Sequence, residues 1–441
     1  MNEKSKEPIP AERKIVLKTP CRYLLRQILP VDGSFTGPMS DLLVWDGQIA
    51  AIGLSGRLSA PEGCLEIQGE GHTLMPAFVD LHVHFRDPGL THKEDVYTGC
   101  AAAEAGGFSH VVPMPNTKPA ADCCSLLTAM QQKAAESPVT LCPAGAVTLG
   151  QKGETLADFE SYAAAGIRAV SEDGRPVENG GLMLKALKKA ASLGLVLMDH
   201  CEDLSIVQGG RMHLGEVSRR LNVPGMDRAS EDAATARDVA FAAAAEVPIH
   251  ICHVSTKGSV ALIREAKARG VRVTCETAPH YLWYTHEKLE TMDSNCRMNP
   301  PLRTEEDRQA LIKGICDGTI DAIATDHAPH TREEKADFFT APNGVVGLET
   351  SFSASYTKLV KTGRCSLSQL VKLMSENPRS ILGLSGGRIQ PGQPADLVLA
   401  DLEKQWRVDS SRFFSKGRNT PFEGEFLFGK TMRLFTAKGC R

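Results

Sequence analysis

The sequence predicts an α/β protein: a (β/α)8 barrel of TIM type, with a small flanking β-sandwich domain formed from both termini. Three observations predict it. Short apolar runs alternate with alanine-rich stretches of helical period through the middle of the chain. Eight such runs follow one another, and parallel strands buried on both faces need helical crossovers between them. Both ends instead carry alternating β patterns and turn signals. The eight runs are AFVDLHVHF (77–85), FSHVVPMP (108–115), VTLCPAGAV (139–147), IRAVSED (167–173), LVLMDHC (195–201), IHICHVS (249–255), VRVTCETAP (271–279) and IDAIATDHAP (320–329). Between them DVYTGCAAAEAG, GLMLKALKKAASLG and SVALIREAKARG place apolar residues three and four apart and close on Gly. A doubly wound open sheet is the alternative to a closed barrel.

The barrel is expected over 74–385. The sandwich takes 14–73, where Asp-Gly in DLLVWDGQIAAIG reads as a hairpin turn, and 386–441. Residues 1–13 are expected to be a disordered tail. With 50 Lys plus Arg against 53 Asp plus Glu, the net charge of −3 gives no field that gathers nucleic acid or an anionic membrane. No stretch reaches the roughly 18–20 apolar residues of a membrane span, and the charged N-terminus lacks a signal-peptide core. Thirteen Cys without framework spacing read as reduced, mostly buried thiols. A soluble, cytoplasmic protein is expected.

Metal-ligating residues fall at the ends of the predicted strands. The first ends in His82-Val83-His84, where two imidazoles separated by one residue share a face. The fourth ends in Ser171-Glu172-Asp173-Gly174, the fifth in Asp199-His200, the sixth in His253 and the eighth in Asp326-His327. In a barrel those ends converge on the catalytic face. Four His and two Asp there can hold one or two divalent ions, and the His-rich mixture suits zinc. Bound zinc lowers the pKa of its water to about 7, so metal-assisted hydrolysis is the reaction class. Asp326 is the candidate acid/base, with a ligand role as the alternative. Arg86, Asn116, Asn299 and His330 add a polar set suited to an anionic, amide-bearing substrate. Arg86 could instead pair with Asp87, and Asn116 could cap a helix. Arg303 is expected to support its loop, and Cys201 to be an inert neighbour. The loop TREEKADFFTAPNG (331–344) reads as a mobile element over the catalytic face, or equally as a surface excursion.

These residues lie in runs that resemble the amidohydrolase superfamily, and within it the dihydroorotases found in many bacteria. The runs are VDLHVHFRDPG (79–89), PMPNT (113–117), SEDG (171–174), MDHCED (198–203), HVST (253–256), NPPLR (299–303), ATDHAPH (324–330) and RNTPF (418–422). The resemblance implies reversible cyclisation of N-carbamoyl-L-aspartate to L-dihydroorotate in de novo pyrimidine (UMP) biosynthesis. It implies one or two Zn2+ per subunit, two being expected. His82, His84, Asp173 and Asp326 would surround one ion, and Asp173, His200 and His253 the other. Arg86, Asn116 and His330 would hold the substrate carboxylate, while Asn299 and the backbone of Asn343-Gly344 would contact the ring. Metal-bound hydroxide would attack the ring carbonyl, with Asp326 passing its proton to the leaving nitrogen. The chain departs from many superfamily members in having no lysine to carboxylate at the end of strand 4. Asp173 is the carboxylate available there, as in one dihydroorotase subgroup, and Glu172 stands where many relatives of that subgroup have another Asp. The alternatives are another cyclic amidohydrolase (allantoinase or hydantoinase) and a noncatalytic partner of aspartate transcarbamoylase. A complex with that enzyme, and a homo-oligomer, are compatible with activity.

Overall fold

Every apolar run in the middle of the chain forms a strand in the computed structural model, which describes residues 21–440. The tail expected over 1–13, and residues 14–20 assigned to the sandwich, lie outside the described residues. Barrel strand 1 (Phe78–Val83) pairs in parallel with strand 2 (Phe108–Pro113), which pairs with strand 3 (Thr140–Leu141, resuming as Ala144–Ala146). The break in strand 3 falls at Pro143, which has no N–H to give the ladder. Strands 4 (Ala169–Ser171), 5 (Val196–Asp199), 6 (Ile249–Ile251), 7 (Val273–Thr277) and 8 (Ala322–Ile323) then follow in parallel, in chain order. A parallel bridge between Val83 and His327 closes the ring, with His84 N donating to His327 O at 2.8 Å. The sheet is therefore a closed barrel and not an open one.

Side chains fill its interior. Val79, Leu81, Val112 and Met114 meet Ala144, Ala169, Met198, Ala322 and Ala324 in one apolar layer. Bulky residues at strands 1, 2 and 5 pack with alanines at strands 3, 4 and 8. Helices return each strand to the next and are capped as their sequences dictate. Asp95 accepts from Thr98 N at the start of Val96–Gly106, and Gly107 ends that helix at φ 85°. Asn179 and Thr256 cap Gly180–Ser192 and Lys257–Ala268 in the same way.

The strands are shorter than the apolar runs, and the chain turns sharply just beyond several of them. His253, Asp326 and Arg86 adopt φ of 31°, 47° and 58°. Non-glycine residues seldom take this region, and its cost is met by the surrounding packing. These turns aim polar side chains at the mouth of the barrel.

Strands from both ends of the described chain form one 8-stranded sheet. Ser40–Trp45 and Gln48–Leu54 make the expected hairpin, with Asp46 and Gly47 at φ 51° and 77°. Leu397–Arg407 pairs antiparallel with Thr73–Pro76 and so joins the two ends. Leu25, Leu42 and Val44 share one core with Leu397, Leu399 and Phe435, and Tyr23 stacks on Phe435 at 5.3 Å. Among the described residues the cysteines are free thiols, and no helix is long and apolar enough to cross a membrane.

The 331–344 segment is fastened from inside rather than lying loose over the barrel. Buried Lys335 donates to the carbonyls of Arg297, Pro342 and Gly344 at 3.2, 2.9 and 3.0 Å. Buried Arg297 in turn donates to Phe338 O and to Asn343 Oδ1. Lys335→Met would take from the Pro342 carbonyl its donor and from those of Arg297 and Gly344 one of two donors, at about 1–3 kcal/mol for a buried carbonyl left unsatisfied. We expect faster cleavage within 331–344 in limited proteolysis and a lower unfolding midpoint; unchanged cleavage would remove Lys335 as the anchor.

Candidate active site

Six side chains predicted from the strand ends meet at the barrel mouth, and all six are buried. Asp173 is the hub. Its Oδ1 lies 3.3 Å from His82 Nε2, 3.4 Å from His200 Nδ1 and 3.6 Å from His253 Nε2. Its Oδ2 lies 3.6 Å from His84 Nε2. Asp326 Oδ1 stands 3.1 Å from His84 Nε2 and 3.8 Å from His82 Nε2. Ligand atoms of His82, His84 and Asp173 lie within 4.8 Å of one another, as do those of Asp173, His200 and His253. Asp173 thus belongs to both triads. The donors are imidazole nitrogens and carboxylate oxygens, a set that suits a borderline divalent cation. Both ring nitrogens of buried His82 lack a hydrogen-bond partner, and Nε2 faces the cluster, as a ligand atom would. The residues fit a metal centre.

The outward nitrogens are held as well. His84 Nδ1 lies 2.9 Å from Asn116 Oδ1, and the same amide donates from Nδ2 to Asp173 Oδ2 at 2.9 Å. His200 Nε2 lies 3.2 Å from Glu202 Oε2, and Asn299 Nδ2 donates to Glu202 Oε1 at 3.0 Å. His82 Nδ1 faces Glu276 Oε1 at 3.5 Å. Such partners fix a ligand's tautomer and ring orientation. Asn116 and Asn299, expected at the substrate, here hydrogen-bond with His84, Asp173 and Glu202 at the edge of the cluster. Asn116 is not the helix cap considered from the sequence.

Burial opposes charge throughout the cluster, yet the groups compensate one another. Asp173 is held well below the usual carboxylate range despite its burial, by the charge of His82 and by hydrogen bonds with His200 and His253. Burial would lower His82 and His200, but Asp173 raises both well above the usual imidazole value. Asp326, opposed by burial, is held at about 2 by His84 and His82. Both aspartates are carboxylates at neutral pH and can accept a cation.

Arg86 stands at the edge of this cluster, partly exposed. Its Nη2 lies 3.3 Å from His330 Nε2, and its Nε donates to Pro329 O. Asp87 is not its partner, because Lys133 Nζ takes that carboxylate at 2.6 Å. Among the described residues no carboxylate comes within ion-pair reach of Arg86, so its fork remains available to an anion. His330 is pushed down to about 2 by burial and by Arg86 and Lys93, and is therefore neutral. Its Nε2–H donates to Asn343 O at 2.9 Å, while Lys93 Nζ donates to Nδ1 at 3.4 Å. Gly344 has φ 142°, and a Cβ there would meet Ala328 O at 2.6 Å, so only glycine fits. Its N–H donates to Arg297 O and its carbonyl accepts from Lys335 and Asn419. The Asn343-Gly344 backbone thus borders the site with its polar groups already engaged.

Other residues fall beside the centre. Glu172 points away from Asp173 and accepts from Val147 N and Thr148 N at 2.9 and 3.0 Å. Cys201 donates to Asp199 Oδ2, and burial raises its thiol pKa, which makes it an inert neighbour. Buried Arg303 braces the sixth strand end through Ser255 Oγ and Glu231. Sequence reasoning missed Glu202, Glu276 and His250. Glu202 follows His200 by two residues in MDHCED, and that spacing was the available signal. Glu276 and His250 lie within apolar strands, where nothing local marks them.

Residues 71–259 match the family model described as Dihydro-orotase-like. The chain is 47% identical over 394 residues to the dihydroorotase of Citrifermentans bemidjiense, covering 89% of this chain and 92% of that one. It is 46% identical over 391 residues to the dihydroorotase of Bacillus caldolyticus, covering 88% and 91%. Among solved structures, the dihydropyrimidinase of Brevibacillus agri superposes with a TM-score of 0.82 at 24% identity, covering 95% of this chain and 94% of that one. The L-hydantoinase of Arthrobacter aurescens superposes with a TM-score of 0.82 at 25% identity, covering 94% of each chain. These structures share the fold of a barrel with a terminal β-sandwich, while the sequence likeness lies with the dihydroorotases. Its buried His/Asp centre and its 47% identity across 89% of its length place the chain in the dihydroorotase family, cyclic amide hydrolases of the amidohydrolase superfamily.

Proposed function

We propose that the protein is a zinc-dependent dihydroorotase that interconverts N-carbamoyl-L-aspartate and L-dihydroorotate in de novo pyrimidine synthesis. The observation that carries this reading is one carboxylate, Asp173, shared by two buried ligand triads. His82, His84, Asp173 and Asp326 would hold one zinc, and Asp173, His200 and His253 the second. Asp173 would serve both ions in the place that a carboxylated lysine fills in many members of the superfamily. Divalent zinc supplies Lewis acidity toward a carbonyl and acidifies water toward neutral pH.

The chain's own groups do the rest. Asp326 starts as a carboxylate, held at about 2 by its histidines against the effect of burial, so it begins the hydrolytic cycle as a base. It accepts a proton from the attacking water and returns it to the ring nitrogen as the C–N bond breaks. Arg86, with neutral His330 beside it, receives the substrate carboxylate. Asn116 and Asn299 keep His84, Asp173 and Glu202 in place, and reach substrate only by giving up a present partner.

A neutral hydantoin would leave the Arg86 guanidinium without a counter-charge, which disfavours the hydantoinase reading. Arg86→Met is expected to raise KM for dihydroorotate about 10- to 100-fold, the worth of a charge-assisted hydrogen bond of about 1.5–3 kcal/mol. The change in kcat is expected to be smaller. Initial rates over a range of dihydroorotate concentrations check this, and unchanged saturation would remove Arg86 from the carboxylate site. Rates on dihydroorotate, hydantoin and allantoin, measured side by side, test the substrate class. The reading predicts preference for dihydroorotate, and preference for hydantoin or allantoin would overturn it.

A further inference from the structure

A polar chain runs through the barrel wall beneath the candidate metal centre. Glu276 on strand 7 and His250 on strand 6 both have fully buried side chains. Glu276 Oε1 lies 3.5 Å from His82 Nδ1 and its Oε2 lies 3.3 Å from His250 Nε2, within ion-pair distance but with none of these four atoms in a formed hydrogen bond, and Cys252 belongs to the same buried group. His250 Nδ1 then lies 2.9 Å from Thr274 Oγ1, on the strand that carries Glu276. Among the described residues, no Lys or Arg comes within ion-pair distance of Glu276; only these two imidazoles do. Burying a carboxylate is unfavourable unless it is paired. Apolar residues of the same size would pack this position without that penalty, so the carboxylate calls for another explanation.

Histidine chemistry supplies one. A neutral imidazole has one N–H and one lone pair, on opposite nitrogens. A carboxylate at Nδ1 places the proton there and leaves the lone pair on Nε2, the atom that faces Asp173 and Asp326. The same carboxylate makes Nε2 a stronger donor to a metal. We propose that Glu276 is a positioning residue for His82: it accepts the Nδ1 proton, fixes the Nε2 lone pair toward the metal, and is itself held by His250 and Thr274. The arrangement parallels Asn116 on His84 and Glu202 on His200, but it is wholly buried and spans two strands. The proposal rests on His82 being a metal ligand.

The test uses the full-length protein and zinc itself, with affinity read by chelator competition and geometry read from the visible absorption of the cobalt-substituted form. Glu276→Gln keeps the shape but replaces the carboxylate. It is expected to weaken zinc binding about 10- to 100-fold and to alter the cobalt spectrum, with the metal-free unfolding midpoint retained. Glu276→Asp, which keeps the charge at shorter reach, is expected to lose less. Nitrogen-15 NMR of the wild-type histidines in the zinc-loaded protein gives a readout independent of any variant, and His82 is expected to carry its proton on Nδ1 there. A zinc-loaded His82 with no proton on Nδ1, or a Glu276→Gln with wild-type affinity and spectrum, would overturn the proposal alone. Wild-type protein that binds no zinc would overturn the metal-centre reading as well.

Discussion

Asp173→Ala is expected to empty the position held by His200 and His253, to leave at most His82, His84 and Asp326 for one ion, and to reduce dihydroorotate hydrolysis close to the level of the chelated wild-type protein. The reason is geometric. Three imidazoles approach one oxygen of this carboxylate and a fourth approaches the other, so no remaining group can bridge the two triads. His200 and His253 would be left as a two-nitrogen site, with His200 Nδ1 and His253 Nε2 only 2.8 Å apart. The imidazoles would also lose the carboxylate that compensates their burial, so some loss of stability is expected alongside. Zinc content by elemental analysis and turnover on the same preparation check this. Retention of one full zinc equivalent with substantial turnover would show that Asp173 is not a bridge.

Asp326→Asn separates ligand from acid/base. The amide cannot take a proton from water, so turnover should fall by about 10^2- to 10^4-fold, the usual worth of a positioned general base. Zinc should remain, because His82, His84 and Asp173 still converge. Backbone strain does not complicate the comparison, since φ is 47° here and Asn tolerates that region better than most residues. A variant that keeps its zinc but turns over at the wild-type rate would reject Asp326 as the acid/base. A variant that loses its zinc would make ligation its main role.

The parts of the molecule that follow local rules could be read from the sequence. The eight apolar runs gave eight strands in order, and the Asp46-Gly47 turn formed where it was expected. The six candidate ligands stand together because strand ends in a closed barrel must converge, whatever the loops do. What could not be read was the far side of each ligand. Glu276 reaches His82 only once strands 1 and 7 are folded together, and no sequence period links 276 to 82, whereas Glu202 lies two residues from His200 and carried a local signal. Asn116 meets His84 and Asp173 from 32 and 57 residues away in sequence, contacts that no local pattern marks. The 331–344 loop read as mobile or as a surface excursion because charge and a Pro-Asn-Gly end signal exposure. Its anchor, Lys335, is a charged residue turned inward onto carbonyls, which composition cannot reveal.

The most direct test of the account is dihydroorotate hydrolysis by purified, zinc-replete protein, run beside the same protein stripped by a chelator. The account predicts turnover that disappears with the metal and returns when zinc is restored. Zinc-replete protein that leaves dihydroorotate intact, or turnover that survives complete removal of the metal, would contradict it.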